Sequence, residues 1–597
     1  MCGISGYIDL NKGISEKVIH AMNESLKHRG PDDSDIFITD DRKIALAHRR
    51  LSFIDLSELG RQPMKNNSGN TVIILNGEIY NYVELKKELK DTYQFKTHTD
   101  TEVILAGYER WGIDVVNRLE GMFAFALFDS YAEKLFLVRD RFGIKPLYYH
   151  FSNNQLVFGS ELKAIAQHPL FVREPDYSSF CDFFVYRYIP SPKTIWKNTY
   201  KVAPAYYLQF NTSTLSVKEV EYWKPEFSDN KRSSADIVEQ TDELLLNSIK
   251  QHLRADVPIG SFLSGGYDSS ALVYYMNRLG YKPDTFSIGF KNWGNSEHNY
   301  AEIVANKFKL NLDIEIADEN NLKLLDKMPS VYDEPIADIS IIPTYMVSKL
   351  ARKKVKAVFS GEGADEIFGG YTWQKDFFAL NSNRSAKEKI INWFRQTNTV
   401  DYYASAMAMG VFGQNELKEF LQPEYHHHIP EDIHWFFRKN FNKKLSPLKS
   451  IQYMDMKCFM GEMVLTKVDR ASMFHSLEVR VPFLNHKLYE MIFSLNENCY
   501  FKSDVTKFLL HENIKKHLPL VILNRHKQGF VGPSDYYTNI ESYKAILKNS
   551  LLVENGLVNK KFIEKKSTDN DYWTLWKIAV MEQWYSVWIN KTVLQNA

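Results

Sequence analysis

The spacing of apolar residues changes part-way along the chain, and that change constrains the architecture more than any other feature. Through the first 160 residues, short β-branched and aromatic runs (KIALAHRRLSFIDL, NTVIILNGEIYNY, GMFAFALFD, KLFLVRDRFG, QLVFGSEL) are separated by turn residues, with KKELKDTY and TEVILAGYERWG as short helices between them. This predicts a layered α+β unit, strands packed on strands with helices outside. A polar stretch without apolar period, KPEFSDNKRSSA at 224–235, ends that pattern. Beyond it the order becomes apolar strand, glycine turn, helix: VPIGSFL, SGG and SSALVYYMNRLG, then TFSIGF and AEIVANKFK, then VKAVFSGEGADEIFGGY. Strands alternating with helices predict a parallel sheet covered on both faces, and the chain from about 371 reads as mostly helical. With 597 residues, too many for one core, the chain divides into a first domain at 1–215, a linker at 216–235 and a second domain at 236–597.

Composition removes several functions. The 74 basic and 73 acidic side chains leave a net charge of +1, which gives no electrostatic case for nucleic acid. The longest apolar runs, such as GMFAFALF, fall short of a membrane span, and no basic head precedes an apolar stretch at the start, so a cytoplasmic protein is expected. Cys2, Cys181, Cys458 and Cys499 lack the paired spacing of a disulfide framework or zinc site, and HHH at 426–428 reads as loop.

Cys2 is the exception among the cysteines. Removal of Met1 would leave a thiol and a free α-amine on one residue. An α-amine titrates at about 7.7–8.0 and a thiol near about 8.5, so the amine can take the thiol's proton directly or through water.

Two internal segments point to a phosphate site. In FLSGGYDSS (262–270), Ser264, Gly265 and Gly266 permit a tight turn after an apolar strand, and Ser269 and Ser270 open a helix whose N-terminus favours anions. The spacing is not GxxxxGK[ST]. An acidic residue beside phosphates needs a cation between them, which makes Asp268 a Mg²⁺ ligand candidate. Taken alone, the motif could equally be a glycine turn with a capping Asp or Ser. FSGEGADEIFGGY (359–371) again sets carboxylates at a strand end, where parallel sheets bind ligands, pairing Asp365 with Asp268 and leaving Glu362 for proton transfer.

With MCGISGY, HRGPD, AHRRLS, NGEIYN, TDTE, GMFAFALFD, RDRFGIKPLYY, SGGYDSS, SGEGADEIFGGY, DRASMFHSLEVRVPFLNHKL and KQGF in one order, the chain resembles the glutamine-hydrolysing asparagine synthetase family over nearly its whole length. The resemblance implies a class II glutaminase of the N-terminal nucleophile type, a four-layer sandwich, joined to an ATP-pyrophosphatase synthetase domain. It implies attack by Cys2 on the glutamine carboxamide, with the Asn76 side chain and the Gly77 N–H receiving the oxyanion; without it, Asn76-Gly77 could be a hairpin turn. Arg50 matches the residue gripping the glutamine α-carboxylate, and Glu78 and Asp100 match acceptors for its α-amine. Leu263 and Ile288 match backbone receivers of adenine, Ser360 and Gly361 lie beside the nucleotide, Glu362 matches a residue tied to the acyl-adenylate, and Lys527 one that stabilises phosphate charge. A homodimer, ATP as substrate, Mg²⁺ and a dry passage for ammonia are implied likewise; Met122, Phe123 and Leu263 are equally explained as core. Lys467, Asp469 and Arg470 align with a helix near the acceptor pocket. Tyr267 stands where the family often has Leu or Ile, and VGP after KQGF is a departure that bears on the acceptor. Aspartate is the expected acceptor, with a uronic acid of a surface polysaccharide as the alternative and a non-catalytic binding protein as a third reading, against which the retention of Cys2 and Asp268 speaks.

Overall fold

The computed structural model describes residues 2–589 except 292, 295, 383–396, 503–504, 526–527, 531 and 533–537. Among them, the first half forms two six-stranded antiparallel sheets. One contains β1 (Gly3–Asp9), β2 (Asp33–Ile38), β3 (Ile44–Arg50), β8 (Tyr148–Ser152), β9 (Gln155–Gly159) and β10 (Thr199–Lys201), in the order β10-β8-β9-β1-β3-β2. The other contains β4 (Met64–Lys65), β5 (Thr71–Ile79), β6 (Gly121–Asp129), β7 (Lys134–Arg139), β11 (Tyr206–Asn211) and β12 (Val217–Glu221), in the order β12-β11-β7-β6-β5-β4.

Period-2 alternation explains the layering. Along β5 and β6, Val72, Ile74, Ala124 and Ala126 meet Ile4, Ile8 and Leu46 of the facing sheet, whereas Ile73, Leu75, Phe123 and Phe125 face outward onto Val103, Ile104 and Leu105 of the helix Thr101–Trp111. The helix Glu16–Glu24 covers β1 and β3 on the far side, which completes the expected four-layer sandwich. Each large aliphatic or aromatic side chain fully buried in these layers contributes about 1.5–3 kcal/mol.

β12 lies inside the stretch expected as linker. Its five residues pair antiparallel with β11, from Tyr206↔Glu221 to Phe210↔Val217, and their three charges among two valines suit an exposed edge strand.

The second half is built on a parallel sheet of β13 (Ile259–Phe262), β14 (Thr285–Phe290), β15 (Leu312–Ala317), β16 (Ala357–Phe359) and β17 (Glu478–Arg480), in the order β15-β14-β13-β16-β17. Because β13 lies between β14 and β16, the loops that follow all three open at one edge. A long helical rod then crosses the molecule: Pro447–Met454 continues through a π-helical stretch, Asp455–Val464, into Leu465–Met473. π-helical insertions of this kind are frequent at functional sites.

Candidate active sites

The alternation that buries Val72 and Ile74 carries Asn76 and Glu78 to the same inner face of β5, toward β1, at whose start Cys2 lies. Asn76 is fully buried, and its Oδ1 accepts the Cys2 N–H at 3.2 Å. That bond orients the amide so that Nδ2, buried and without a partner, remains a vacant donor. Such a donor is costly unless something arrives to accept from it. Gly77 faces Phe123 at a non-hydrogen-bonded position of the ladder, since the Tyr80 N–H, bonded to the Glu120 carbonyl at 2.7 Å, sets the alternation and turns the Gly77 N–H away from β6. A Cβ at residue 77 would lie 2.1 Å from the Met122 carbonyl oxygen, so only glycine lets the strands close here. Burial pushes the Cys2 thiol up, opposed by the Leu51 carbonyl 4.0 Å from Sγ and by the Arg50 charge.

Arg50 ends β3, with Arg49 paired to Gly3, and its charge is felt at the Cys2 thiol. Its Nη1 donates to Ser57 O at 2.9 Å and its Nη2 to the Ile54 and Asp55 carbonyls, which fixes the guanidinium and leaves Nε–H and one Nη1–H uncommitted. Asp100 is buried, and its Oδ2 accepts the Ile79 N–H at 2.7 Å; desolvation pushes its carboxyl up to about 6. Glu78 is pushed well above the usual carboxylate range, first by burial and then by Asp100 and Glu478, and its Oε2 has no hydrogen-bond partner. Two buried carboxyls whose charge Arg480 only partly compensates make a receptor for an ammonium group.

The second half of the chain reaches into this site. Arg480, on β17, sets Nη2 3.8 Å from Glu78 Oε2, donates from Nε to Glu478 Oε1 at 2.6 Å, and lies over the Phe53 and Tyr80 rings. Arg29 donates from Nε to the Cys2 carbonyl at 3.1 Å and from Nη1 and Nη2 to Asp469 at 2.8 and 3.1 Å, with Glu161 2.7 Å from Nη1. Arg470 joins Glu161 at 3.0 Å and Asp333 at 3.5 Å. These charges are fully buried at the seam between the halves, each with opposite charge in contact, the arrangement under which buried ions are tolerated. Neither Glu478 nor Arg480 was given a chemical role from sequence, although two charges inside the apolar run LEVRVPFL imply buried partners.

At the parallel sheet's open edge lies a cavity of about 560 Å³. Leu263, Ser264, Asp268, Ser269, Ile288, Ser360, Gly361, Glu362 and Asp365 all line it, drawn from β13, β14 and β16 and the loops after them. Gly265 and Ser270 do not. Gly265, at φ +66° and with a would-be Cβ 2.3 Å from the Tyr300 carbonyl carbon, shapes the turn against the helix His298–Phe308. Ser270 is wholly buried with an unpaired hydroxyl, because one further helical position rotates it away from Ser269 into the core. Gly266 borders an adjoining cavity of about 500 Å³ that shares Ser264, Asp268 and Ser269 and adds Lys375, Lys507 and Arg525. Lys527 lies outside the described residues; Gln528, Gly529 and Phe530 line the larger cavity.

Asp268 and Asp365 do converge, and Lys507 joins them: its Nζ bonds Asp268 Oδ1 and lies 2.8 Å from Asp365 Oδ1. Lys507, in the polar run KSDVTK, carries no motif that points to this pair. Two carboxylates directed at one positive charge are a donor set that fits a hard cation, although among the described residues no group of three or more Asp, Glu, His or Cys side chains is placed to hold a metal. Glu362 presents a buried Oε2 with no partner. Glu366, pushed up to about 8 by burial and Asp365, accepts from the Tyr371 hydroxyl. Tyr267 bonds His511 beside the loop. Lys467 donates to Asp338 at 3.2 Å and to Ser340, so it faces the cavity while Asp469, two residues on, holds Arg29.

Comparison with known proteins matches residues 1–223 to the glutamine amidotransferase domain and residues 240–586 to asparagine synthase. The chain belongs to the asparagine synthase family. Within this family, asparagine synthetase (glutamine-hydrolyzing) 1 of Bacillus subtilis (strain 168) is 31% identical, over 99% of this chain and 97% of its own length. A putative asparagine synthetase (glutamine-hydrolyzing) 2 of Methanocaldococcus jannaschii is 40% identical over 62% of this chain and 76% of its own. A putative asparagine synthetase (glutamine-hydrolyzing) of Mycobacterium tuberculosis is 28% identical over 100% of this chain and 98% of its own.

Proposed function

We propose that this asparagine synthase family member makes asparagine from aspartate, ATP and glutamine, releasing glutamate, AMP and pyrophosphate. The observation that carries the reading is the vacant Asn76 Nδ2 beside Cys2, in a chain whose other half opens a nucleotide-sized cavity at a parallel sheet edge. With Met1 removed, the Cys2 α-amine takes the thiol proton, Sγ attacks the carboxamide carbon, and the developing oxyanion is received by Asn76 Nδ2 and the Gly77 N–H. The amine returns the proton to the departing ammonia, and water hydrolyses the thioester to glutamate. Arg50 orients the substrate α-carboxylate. Glu78 and Asp100 supply the negative charge that its ammonium completes.

In the cavity, the backbone at Leu263 and Ile288 takes the adenine, and Ser264, Ser269, Ser360 and Gly361 line the nucleotide. The acceptor carboxylate displaces pyrophosphate from the α-phosphate to give an acyl-adenylate, on which ammonia forms the amide. Glu362, its Oε2 unpartnered, takes the proton that the attacking ammonia must lose. Lys527 stabilises phosphate charge. Asp268 and Asp365 would hold Mg²⁺ in place of the Lys507 ammonium; bound there, the cation offsets the charge of the leaving pyrophosphate. Among the described residues no helix is long and apolar enough to cross a membrane, and we place the enzyme in the cytoplasm, as a homodimer, following the family resemblance.

The relatives' names favour aspartate over a uronic acid. Pyrophosphate release measured with aspartate against a panel of uronic acids tests this: release with aspartate is expected, and release with a uronic acid alone overturns it.

A further inference from the structure

The synthetase cavity contains a cation that the first half of the chain supplies. Arg187 follows the helix Tyr177–Tyr186, is 7% exposed, and lines the cavity beside Asp338, Ser340 and Lys467. Lys467, the other cation among the described lining residues, differs in kind: it is joined to Asp338, whereas no carboxylate among the described residues forms an ion pair with Arg187, and its buried Nε has no hydrogen-bond partner. Burial pulls its pKa down, and Asp338 only partly opposes this. A buried guanidinium in this state is costly unless an anion completes it.

The backbone holds Arg187 in place at further cost. Its φ is +73°, a left-handed conformation that costs a non-glycine residue of order 1–3 kcal/mol, of the kind found at ligand clamps. Its N–H is bonded to Phe183 O at 2.7 Å, and its carbonyl accepts the Ala337 N–H at 2.9 Å, tying it to the loop that carries Asp338 and Ser340. Lys577 donates to Phe184 O at 2.6 Å and to Gly410 O at 2.9 Å, which fixes the same helix to the Ala406–Met409 wall of the cavity. The corner is therefore rigid and short of negative charge.

We propose that Arg187 binds the second carboxylate of the acceptor, the one that is not adenylated, and so selects an amino dicarboxylic acid over a monocarboxylate. This rests on the reading of the cavity as the synthetase site. A planar fork suits a carboxylate, and the Asp338 carboxylate, held below its ordinary range despite burial by Lys467 and Ser340, lies beside it to face the acceptor's ammonium. A uronic acid, whose single carboxylate must react, would leave Arg187 uncompensated.

The test compares aspartate with β-alanine, which lacks only that carboxylate, by acceptor-dependent pyrophosphate release. The wild type should prefer aspartate in kcat/KM by on the order of 100-fold. Arg187→Met should bring the ratio close to unity, with KM for ATP and the rate of glutamine hydrolysis unchanged. Arg187→Lys, which keeps a positive charge in the corner, should fall between. An aspartate-to-β-alanine ratio unchanged in Arg187→Met, or in Arg187→Lys alone should only that variant fold, overturns the assignment of Arg187 while leaving the reaction intact. A wild type silent with aspartate overturns the proposed reaction itself.

Discussion

The two candidate centres are built on different plans. At the first, Cys2, Asn76 and Gly77 are fixed by antiparallel register, so a handful of adjacent positions sets most of the geometry. At the second, strand ends, two loops and a π-helical rod surround a cavity of about 560 Å³, contributed by residues from 187 to 530. The difference shows that the domain boundary does not separate the sites: Arg480 enters the first centre from the second half, and Arg187 enters the second from the first. One helix touches both, through Lys467 on the cavity side and Asp469 on Arg29 beside Cys2.

The sharpest break in the comparison is Cys2→Ala. Glutamine-supported amide formation should fall below detection while formation from added ammonium continues, read as product in parallel assays; equal loss of both would mean the centres are not chemically separate. Next is Asn76→Ala, expected to lower kcat for glutamine hydrolysis about 100- to 1000-fold with little change in KM, since the donor acts on charge that develops only in the transition state. Asp469→Ala leaves Arg29 with Glu161 as its remaining carboxylate and should cost about 3–5 kcal/mol in denaturant unfolding. If the seam couples the centres, both activities should fall together in that variant. The smallest effect concerns Asp100. With its carboxyl near 6 it is protonated below that pH and ionised above, so the KM for glutamine should drop as pH rises through about 6, and Asp100→Asn should abolish that inflection.

These plans also explain what could be read in advance. Period-2 alternation and the strand-glycine-helix order foretell the sandwich, the parallel sheet and the meeting of Asp268 with Asp365, because local pattern decides each of them. Ser270 opens the helix as expected but turns into the core, because a serine pair at a helix start does not announce which member faces a ligand. β12 was hidden by its charge, since an edge strand with both faces wet has little apolar signal. Lys507, Arg187 and Arg480 come from far along the chain to meet their sites, and no local spacing records such a meeting. For Arg187 and Arg480, charge within an apolar stretch is the one trace, and it signals a buried partner without naming it.

The central claim is that nitrogen freed at Cys2 is delivered to an adenylated acceptor in the other half of the same chain. Mass spectrometry of the products from amide-¹⁵N-glutamine, aspartate and ATP, with unlabelled ammonium present, tests it directly. The account predicts asparagine carrying ¹⁵N in the wild type and unlabelled asparagine from Cys2→Ala. Wild-type asparagine without the label, formed while labelled glutamine is consumed, would contradict it.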